Sequence, residues 1–323
     1  MKKNKLALGD RMIISFVRLI NINPEKKDKV IKKLKLYQKL ANLQPLSLKR
    51  GFERLKFSPN NVPIEIVKRK NSQSKTIVLV AHGGAFIMGL MNTYRNLYVE
   101  FNRKDDDIHV AVVDYRVAPQ HKYPLAHDDI MTSFNFLIDE LGYKPGNIVL
   151  VGDSSGGNLI LSLLLKLRDS NRELPKAAVV MSPWIDFSGS GDSYSNNYSS
   201  DIIFGRRNIK PSHEGLQKVL KSGIFSYVTD ADRNDPYVSP IHGQYHNMPP
   251  MLVIAGENEM LLSDALTLTD KIREFAGDVQ LLVGKGMFHS YPVFPRIFPS
   301  GKRTIREVVN FVKIQTTTKK DAS

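Results

Sequence analysis

Short apolar runs, rich in β-branched residues, recur along this chain and are separated by longer segments with helical spacing. Continuous short runs of this kind are typical of strands that are buried on both faces of a parallel sheet. Between the runs, apolar residues recur at the spacing of one helix face, most clearly in 130–141, 159–167 and 305–312. This alternation predicts an α/β fold with a mostly parallel sheet. The predicted strands are 63–67, 76–81, 110–113, 148–151, 177–181, 251–255 and 279–283.

Two segments depart from the alternation and predict the domain organisation. Residues 1–48 have helical patterning, with apolar residues at i, i+4, i+7 and i+11 from Val30, so we expect one or two amphipathic helices there. Residues from about 187 to 235 turn to Ser, Gly, Asn and Asp, which indicates a loop or lid inserted between core strands. We therefore expect an α/β domain over residues 49–323 and a helical cap built from residues 1–48 and this insertion.

Positive charge is concentrated at the N-terminus. Residues 1–50 hold 14 of the 46 Lys and Arg residues but only 3 of the 32 acids, so they carry +11 of the net charge of +14. The remainder is nearly neutral, which argues against a nucleic-acid-binding protein. In one interpretation, the lysines of residues 1–50 form a solvent-exposed face of the cap. The alternative is peripheral contact with an anionic membrane or envelope polymer, in which Met12, Phe16 and Ile20 lie in the interface.

The chain has no cysteine, so it has no disulfide and no cysteine-metal site. Its longest apolar stretches are too short to span a bilayer, and residues 12–20 are interrupted by Arg18 and lack a small-residue cleavage site. We expect neither a transmembrane helix nor a signal peptide. The expected location is therefore cytoplasmic, with the inner membrane face as the site of any peripheral contact, and the oligomeric state stays open.

Residues 147–158 carry the clearest chemical motif. The predicted strand 148–151 stops at Gly152, and Ser154 is followed by two glycines and a segment of helical length. Gly-x-Ser-x-Gly between strand and helix fits a nucleophile elbow, where a strained turn exposes the serine hydroxyl and the glycines prevent backbone collisions. A chymotrypsin-like protease is excluded, because those β-barrels are normally held by disulfides and this chain has no cysteine. Ser154 is therefore the predicted nucleophile.

A second glycine motif, His82-Gly83-Gly84, follows the predicted strand 76–81. Adjacent glycines at a strand end let backbone N–H groups point outward, as an oxyanion hole for acyl transfer requires. With the N–H of Ser155, the residue after the nucleophile, the Gly83 and Gly84 amides would provide three donors. We expect His82 to orient this loop by hydrogen bonding rather than to catalyse.

The acid and the base are predicted from chain order, which in a hydrolase of this topology is nucleophile, acid, histidine. Glu259 follows the strand 251–255, and of the eight histidines only His289 follows the last core strand and precedes the final helix. Asp264 is the alternative acid. Four aromatic residues are candidate walls of a substrate pocket, although each could equally be a core residue: Phe86, Trp184, Tyr291 and Phe294.

Together these motifs resemble the hormone-sensitive-lipase-like family of α/β-hydrolase carboxylesterases. The resemblance implies an α/β-hydrolase fold with an eight-stranded, mostly parallel sheet and a helical cap, and hydrolysis of short acyl esters without a metal or other cofactor. Two positions depart from the commonest family pattern: Ser155 replaces Ala, which leaves the backbone amide unaffected, and Glu259 replaces Asp as the acid. The resemblance rests on the order of His82-Gly83-Gly84-Ala85, Asp114-Tyr115-Arg116-x-Ala118-Pro119 with Pro124 and Asp129, Gly152-Asp153-Ser154-Ser155-Gly156-Gly157-Asn158, Asp235-Pro236-x-x-Ser239-Pro240 and Gly286-Met287-x-His289.

These observations predict a serine carboxylesterase that acts on a small-molecule ester and binds no nucleic acid. A serine hydroxyl is too weakly acidic to attack at neutral pH, so His289 must take its proton while a carboxylate fixes the imidazole tautomer. Two alternatives stay open: a catalytically weak ligand-binding protein on the same fold, and a membrane-surface lipid esterase. A binding protein would be expected to lack the nucleophile or the base, and this chain carries candidates for both.

Overall fold

A computed structural model of the chain describes residues 48–102, 107–205, 223–295 and 298–317, together with Lys35, Gln38, Lys39, Asn42 and Leu46. The predicted N-terminal helices lie outside the described residues apart from those isolated positions, and so does the middle of the predicted insertion, residues 206–222. None of the described helices is long and apolar enough to cross a membrane.

Eight strands in the described part of the chain form one sheet. Their order across the sheet is β1-β2-β4-β3-β5-β6-β7-β8. Strand β2 is antiparallel to β1 and β4, and all other neighbours are parallel. The predicted eight-stranded, mostly parallel sheet is therefore confirmed. The strands are β1 (Phe52–Phe57), β2 (Ile64–Arg69), β3 (Ile77–Ala81), β4 (His109–Val113), β5 (Ile148–Asp153), β6 (Ala177–Met181), β7 (Met251–Gly256) and β8 (Val279–Gly284).

Helices pack against the sheet and lie in the connections between its strands. The central helix α4 (Ser155–Asp169) packs against β3, β5 and β6 and is buried along most of its length. Short 3₁₀ turns occur at Pro59–Asn61, Pro145–Asn147, Gly223–Val228, Pro240–His242 and Tyr291–Val293. The described helices are α1 (Asn92–Arg95), α2 (Tyr98–Phe101), α3 (Leu125–Asp139), α4 (Ser155–Asp169), α5 (Ser193–Asn196), α6 (Leu262–Glu274) and α7 (Pro299–Thr316).

The core lies around the middle of the sheet. Strands β3 to β7 are buried at every position, as expected for strands that helices cover on both faces. The pattern did not predict β1, whose sequence Phe-Glu-Arg-Leu-Lys-Phe mixes charged and apolar residues. This strand lies at the edge of the sheet and is mostly half-buried, so it needs no continuous apolar run.

The parallel strands β3 to β8 end at the same edge of the sheet, and the loops that follow them carry the predicted motifs. The loop after β4 is held there by charged residues. Asp129 is buried and accepts hydrogen bonds from the Arg116 backbone N–H over 2.8 Å and from its Nη2 over 2.6 Å. Asp114 accepts a hydrogen bond from the Leu90 N–H over 3.0 Å. These bonds brace the loops that follow β3 and β4.

Candidate active site

Ser154 lies in the turn between β5 and α4. Its backbone has φ 54° and ψ −120°, which is a strained conformation for a residue with a side chain. Its N–H donates to the Met181 carbonyl oxygen over 2.9 Å, which ties the turn to the end of β6. Glycines make the turn possible, since a Cβ on Gly152 would overlap the Gly156 carbonyl and one on Gly156 would overlap the Ala81 carbonyl. This geometry is that of a nucleophile elbow.

His289 and Glu259 meet in the loops after β8 and β7. The His289 Nδ1–H donates to Glu259 Oε2 over 3.2 Å, and both side chains are buried. Burial alone lowers the pKa of His289, but the hydrogen bond to Glu259 and its negative charge outweigh burial, so this pKa lies above its ordinary value. An imidazole held in this way has one fixed tautomer, which leaves Nε2 free to accept a proton.

Asp264, the alternative acid, has different partners. Its carboxyl group accepts hydrogen bonds from the backbone N–H groups of Ile185 and Asp186, over 2.8 and 3.1 Å. The Tyr194 hydroxyl donates to the same oxygen over 3.2 Å, and burial raises the pKa of Asp264 well above its ordinary value. Asp264 therefore braces α6 against the chain that follows β6. The geometry favours Glu259 as the partner of His289.

The Gly83 amide, predicted as an oxyanion donor, is already engaged. It donates to Asp153 Oδ1 over 2.9 Å and to the Tyr94 hydroxyl over 3.1 Å, and the Tyr94 hydroxyl donates to Asp153 Oδ2 over 3.3 Å. An N–H group shared between two acceptors does not also point at a substrate oxygen, so the prediction was wrong for Gly83. Its role is to anchor the loop after β3 to the end of β5. Burial raises the pKa of Asp153, whose carboxyl group receives these bonds.

Three other amides are free to hold an oxyanion. Gly84 and Ala85 both have positive φ, 129° and 55°, and Ser155 is the first residue of α4. Within the described ranges no group accepts a hydrogen bond from the backbone N–H of any of these three. The first N–H groups of a helix have no partner inside the helix and point toward whatever lies at its N-terminus. Ala85 is therefore a candidate donor in the place that sequence reasoning gave to Gly83.

His82 supports this loop from within the core. Its Nδ1–H donates to the Gly83 carbonyl oxygen over 2.8 Å, and its ring stacks on Tyr115 with 4.1 Å between centroids. The Tyr115 hydroxyl donates to the His82 carbonyl oxygen over 2.7 Å. Burial lowers the pKa of His82 to about 4, so the imidazole is neutral near pH 7. These contacts agree with the predicted orienting role.

Two of the four candidate pocket residues belong to a buried aromatic cluster beside the nucleophile. The ring of Phe86 stacks on Tyr227 at 4.3 Å, and the ring of Trp184 lies 4.5 Å from Phe187. The Trp184 backbone N–H donates to the Ser154 carbonyl oxygen over 3.2 Å, so the cluster adjoins the elbow. Phe86 and Trp184 therefore lie beside the nucleophile's turn, and their role as pocket walls stays a prediction.

The other two candidates lie toward the C-terminal helix. Tyr291 is buried, and its hydroxyl lies 2.9 Å from Thr304 Oγ1 in α7. A Cβ on Gly284 would overlap the Tyr291 ring, so this residue is part of the core and not a pocket wall. Phe294 is half-buried and packs against Phe298 with 6.5 Å between centroids.

Sequence reasoning missed Phe204. Its ring lies 4.7 Å from the His289 imidazole in an edge-to-face arrangement with an interplanar angle of 62°. Phe204 belongs to the predicted insertion, three residues after the buried Asp201. The only available signal was the apolar triplet Ile202-Ile203-Phe204 inside an otherwise polar segment.

Several known proteins with similar sequences and structures are esterases. A sequence profile of the α/β-hydrolase fold matches residues 78–293. An esterase from Acinetobacter venetianus is 31% identical over 84% of this chain and 89% of its own length. An acetyl-hydrolase from Streptomyces hygroscopicus is 28% identical over 77% of this chain and 79% of its own length. The solved structure of an esterase from the bacterial hormone-sensitive lipase family aligns with a TM-score of 0.82 at 27% identity, covering 97% of this chain and 100% of that one.

The fold and these relatives define a carboxylic ester hydrolase. The chain belongs to the α/β-hydrolase family, within its hormone-sensitive-lipase-like esterases, as the motifs predicted.

Proposed function

We propose that this chain is a serine carboxylesterase that hydrolyses short-chain acyl esters through Ser154, His289 and Glu259. The observation that carries the proposal is the 3.2 Å hydrogen bond between His289 and Glu259, at the sheet edge where Ser154 occupies its strained turn. A paired carboxylate stabilises the imidazolium that forms when histidine takes the serine proton. The raised pKa of His289 has the same origin and makes its imidazole a stronger base.

The reaction follows from these positions. His289 Nε2 takes the proton of Ser154 Oγ while this oxygen bonds to the ester carbonyl carbon. The N–H groups of Gly84, Ala85 and Ser155 hold the negative charge that forms on the carbonyl oxygen. The bond between carbon and the alcohol oxygen then breaks, and the imidazolium gives its proton to that oxygen. A water molecule repeats both steps on the acyl-enzyme and releases the carboxylic acid.

Packing beside the elbow supports the short acyl chain. Phe86 is fully buried, and together with Trp184, Phe187 and Tyr227 it fills the space next to the nucleophile's backbone. We expect walls packed in this way to suit a short acyl group better than a long one. The Streptomyces relative is named an acetyl-hydrolase, which agrees with a small acyl group.

We further propose that residues 1–48 and the insertion at about 187–235 form a cap over the site. The contact between Phe204 and His289 supports this role for the insertion, because it brings the segment directly onto the base.

A panel of aryl esters with increasing acyl length tests the proposal, with the wild type and Ser154→Ala side by side. We expect the wild type to turn over acetyl and butyryl esters fastest, and Ser154→Ala to fold normally but show no turnover above a buffer blank. Faster hydrolysis of long-chain esters would refute the short acyl preference. Ester binding without turnover by the wild type would favour the ligand-binding alternative.

A further inference from the structure

One buried acid connects the inserted segment to the loops of the proposed triad. Asp201 is 2% exposed, and its carboxylate accepts three backbone hydrogen bonds. Oδ2 accepts from the Met260 N–H over 2.8 Å. Oδ1 accepts from the N–H groups of Ile203 and Phe204, over 2.7 and 2.9 Å. The two oxygens therefore hold two different parts of the chain.

The bond between Met260 and Asp201 helps to fix the position of Glu259, the proposed acid of the triad. Met260 follows Glu259 directly, so its N–H and the Glu259 carbonyl belong to the same peptide unit. Asn197 Nδ2 donates to the Glu259 carbonyl over 2.9 Å and to the Glu257 carbonyl over 3.1 Å. Both polar groups of the peptide after Glu259 are thus bonded to the inserted segment. The direction of the Glu259 side chain depends on Asn197 and Asp201 as well as on the sheet.

The bonds from Ile203 and Phe204 to Asp201 affect the surroundings of His289, the proposed base. They close the turn that follows Asp201 and set the Phe204 ring against the His289 imidazole. Negative charge on Asp201 also acts on His289 and favours the imidazolium, in addition to the larger effect of Glu259 and the smaller one of Asp153. One side chain thus reaches both members of the acid–base pair.

We infer that Asp201 is a positioning residue of this esterase, because its carboxylate joins the inserted segment both to the peptide after Glu259 and to the turn that places Phe204 on His289. The inference rests on the proposed function, since it assigns Asp201 to the Glu259–His289 pair. A carboxylate is required here because both of its oxygens accept hydrogen bonds. In Asp201→Asn one of these oxygens becomes an NH₂ group, which would face an N–H donor.

The test compares Asp201→Asn with Asp192→Asn, the same change at an exposed acid of the same segment. We expect Asp201→Asn to lower kcat per folded molecule by about 10- to 100-fold with little change in KM, since a displacement of about 1 Å can cost about a hundredfold. We also expect the acid limb of kcat/KM to move to lower pH, because less negative charge near His289 lowers its pKa. Asp192→Asn should match the wild type in every respect.

A purely structural role would give a different result. Partial unfolding lowers the amount of folded enzyme, but it leaves kcat per folded molecule and the acid limb normalised to the folded fraction unchanged. The inference is overturned if kcat per folded molecule and the acid limb of Asp201→Asn match those of Asp192→Asn. If Asp201→Asn does not fold, Asn197→Ala takes its place, because it removes two bonds to the same loop without a change of charge. A wild-type kcat per folded molecule in Asn197→Ala would equally overturn the inference, whereas its acid limb should stay in place because no charge is lost.

Histidine NMR separates this inference from the proposed function. The pKa of His289, assigned by comparison with His289→Gln in isotope-labelled protein, is measured without any turnover. We expect it to fall in Asp201→Asn and to stay unchanged in Asp192→Asn. If the wild type hydrolysed no ester but His289 showed this fall, the proposed function would fail and the positioning role would stand. An unchanged His289 pKa in an active enzyme would overturn the positioning role alone.

Discussion

Replacement of Glu259 by Gln tests the assignment of the acid most sharply. The change keeps the length of the side chain and removes the negative charge that faces His289 Nδ1 across 3.2 Å. With charge centres about 4 Å apart, this charge stabilises the imidazolium by about 4 kcal/mol at an effective dielectric constant of about 20. The imidazolium forms on the way to the transition state, and each 1.4 kcal/mol or so is worth about tenfold in rate. We therefore expect kcat to fall by about three orders of magnitude.

Asp264→Asn is the matched comparison. It makes the same type of change at the alternative acid, whose carboxyl group contacts Ile185, Asp186 and Tyr194. All three groups donate to Oδ2, and the amide oxygen of Asn can take its place, so these buried donors keep their acceptor. We expect kcat per folded molecule to stay close to that of the wild type.

The assay is hydrolysis of an acetyl aryl ester between about pH 5 and pH 9, normalised to the folded fraction from near-UV circular dichroism. Loss of the Glu259 charge removes the largest effect that raises the pKa of His289 against burial, so this pKa falls and the acid limb of kcat/KM moves to lower pH. A greater loss per folded molecule in Asp264→Asn than in Glu259→Gln would refute the reasoning and transfer the acid role to Asp264.

Three further predictions concern pH, the elbow and the basic N-terminus. Wild-type kcat/KM rises with pH through the pKa of His289, because the base must be neutral to take the serine proton. This pKa is raised above its ordinary value of 6.5, so an acid limb at or below pH 6.5 would contradict the account. Gly156→Ala loses at least about 1–3 kcal/mol of stability, seen as a lower Tm, because its Cβ overlaps the Ala81 carbonyl, whereas Gly146→Ala makes only a 3.9 Å contact and should keep the wild-type Tm. If residues 1–50 bind anionic surfaces, the protein cosediments with anionic but not neutral vesicles, and less so as salt rises. If the protein stays in the supernatant with anionic vesicles at low salt, those lysines only form a solvent-exposed face.

Where the chemical signal is local, the sequence was sufficient to predict the local structure of the candidate site. Strand, turn and helix around Ser154 follow one another within a few residues, and the strained turn that the glycines permit is present. The pairing of Glu259 with His289 depends on chain order, because the adjacent parallel strands β7 and β8 bring their following loops together. The buried strands were also predictable, because a continuous apolar run is a local signal. Each apolar run is long enough to predict a buried strand without information from the rest of the chain.

Contacts between distant loops could not be predicted. Gly83 donates to Asp153, which lies 70 residues further along the chain, and neither motif shows that one engages the other. Phe204 reaches His289 from a polar segment with no regular spacing that could place it. Tyr291 follows the predicted base closely in sequence, and only the packing of α7 shows that it belongs to the core.

The central claim is that Ser154, activated by His289, is the nucleophile, and covalent labelling with a fluorophosphonate followed by peptide mass spectrometry tests it most directly. The neighbouring Ser155 lies in the same peptide with its side chain fully buried, which makes it an internal control. We predict a single adduct on Ser154 in the wild type, none in Ser154→Ala and much slower labelling in His289→Gln. An adduct on Ser155, or undiminished labelling of Ser154→Ala, would contradict the account.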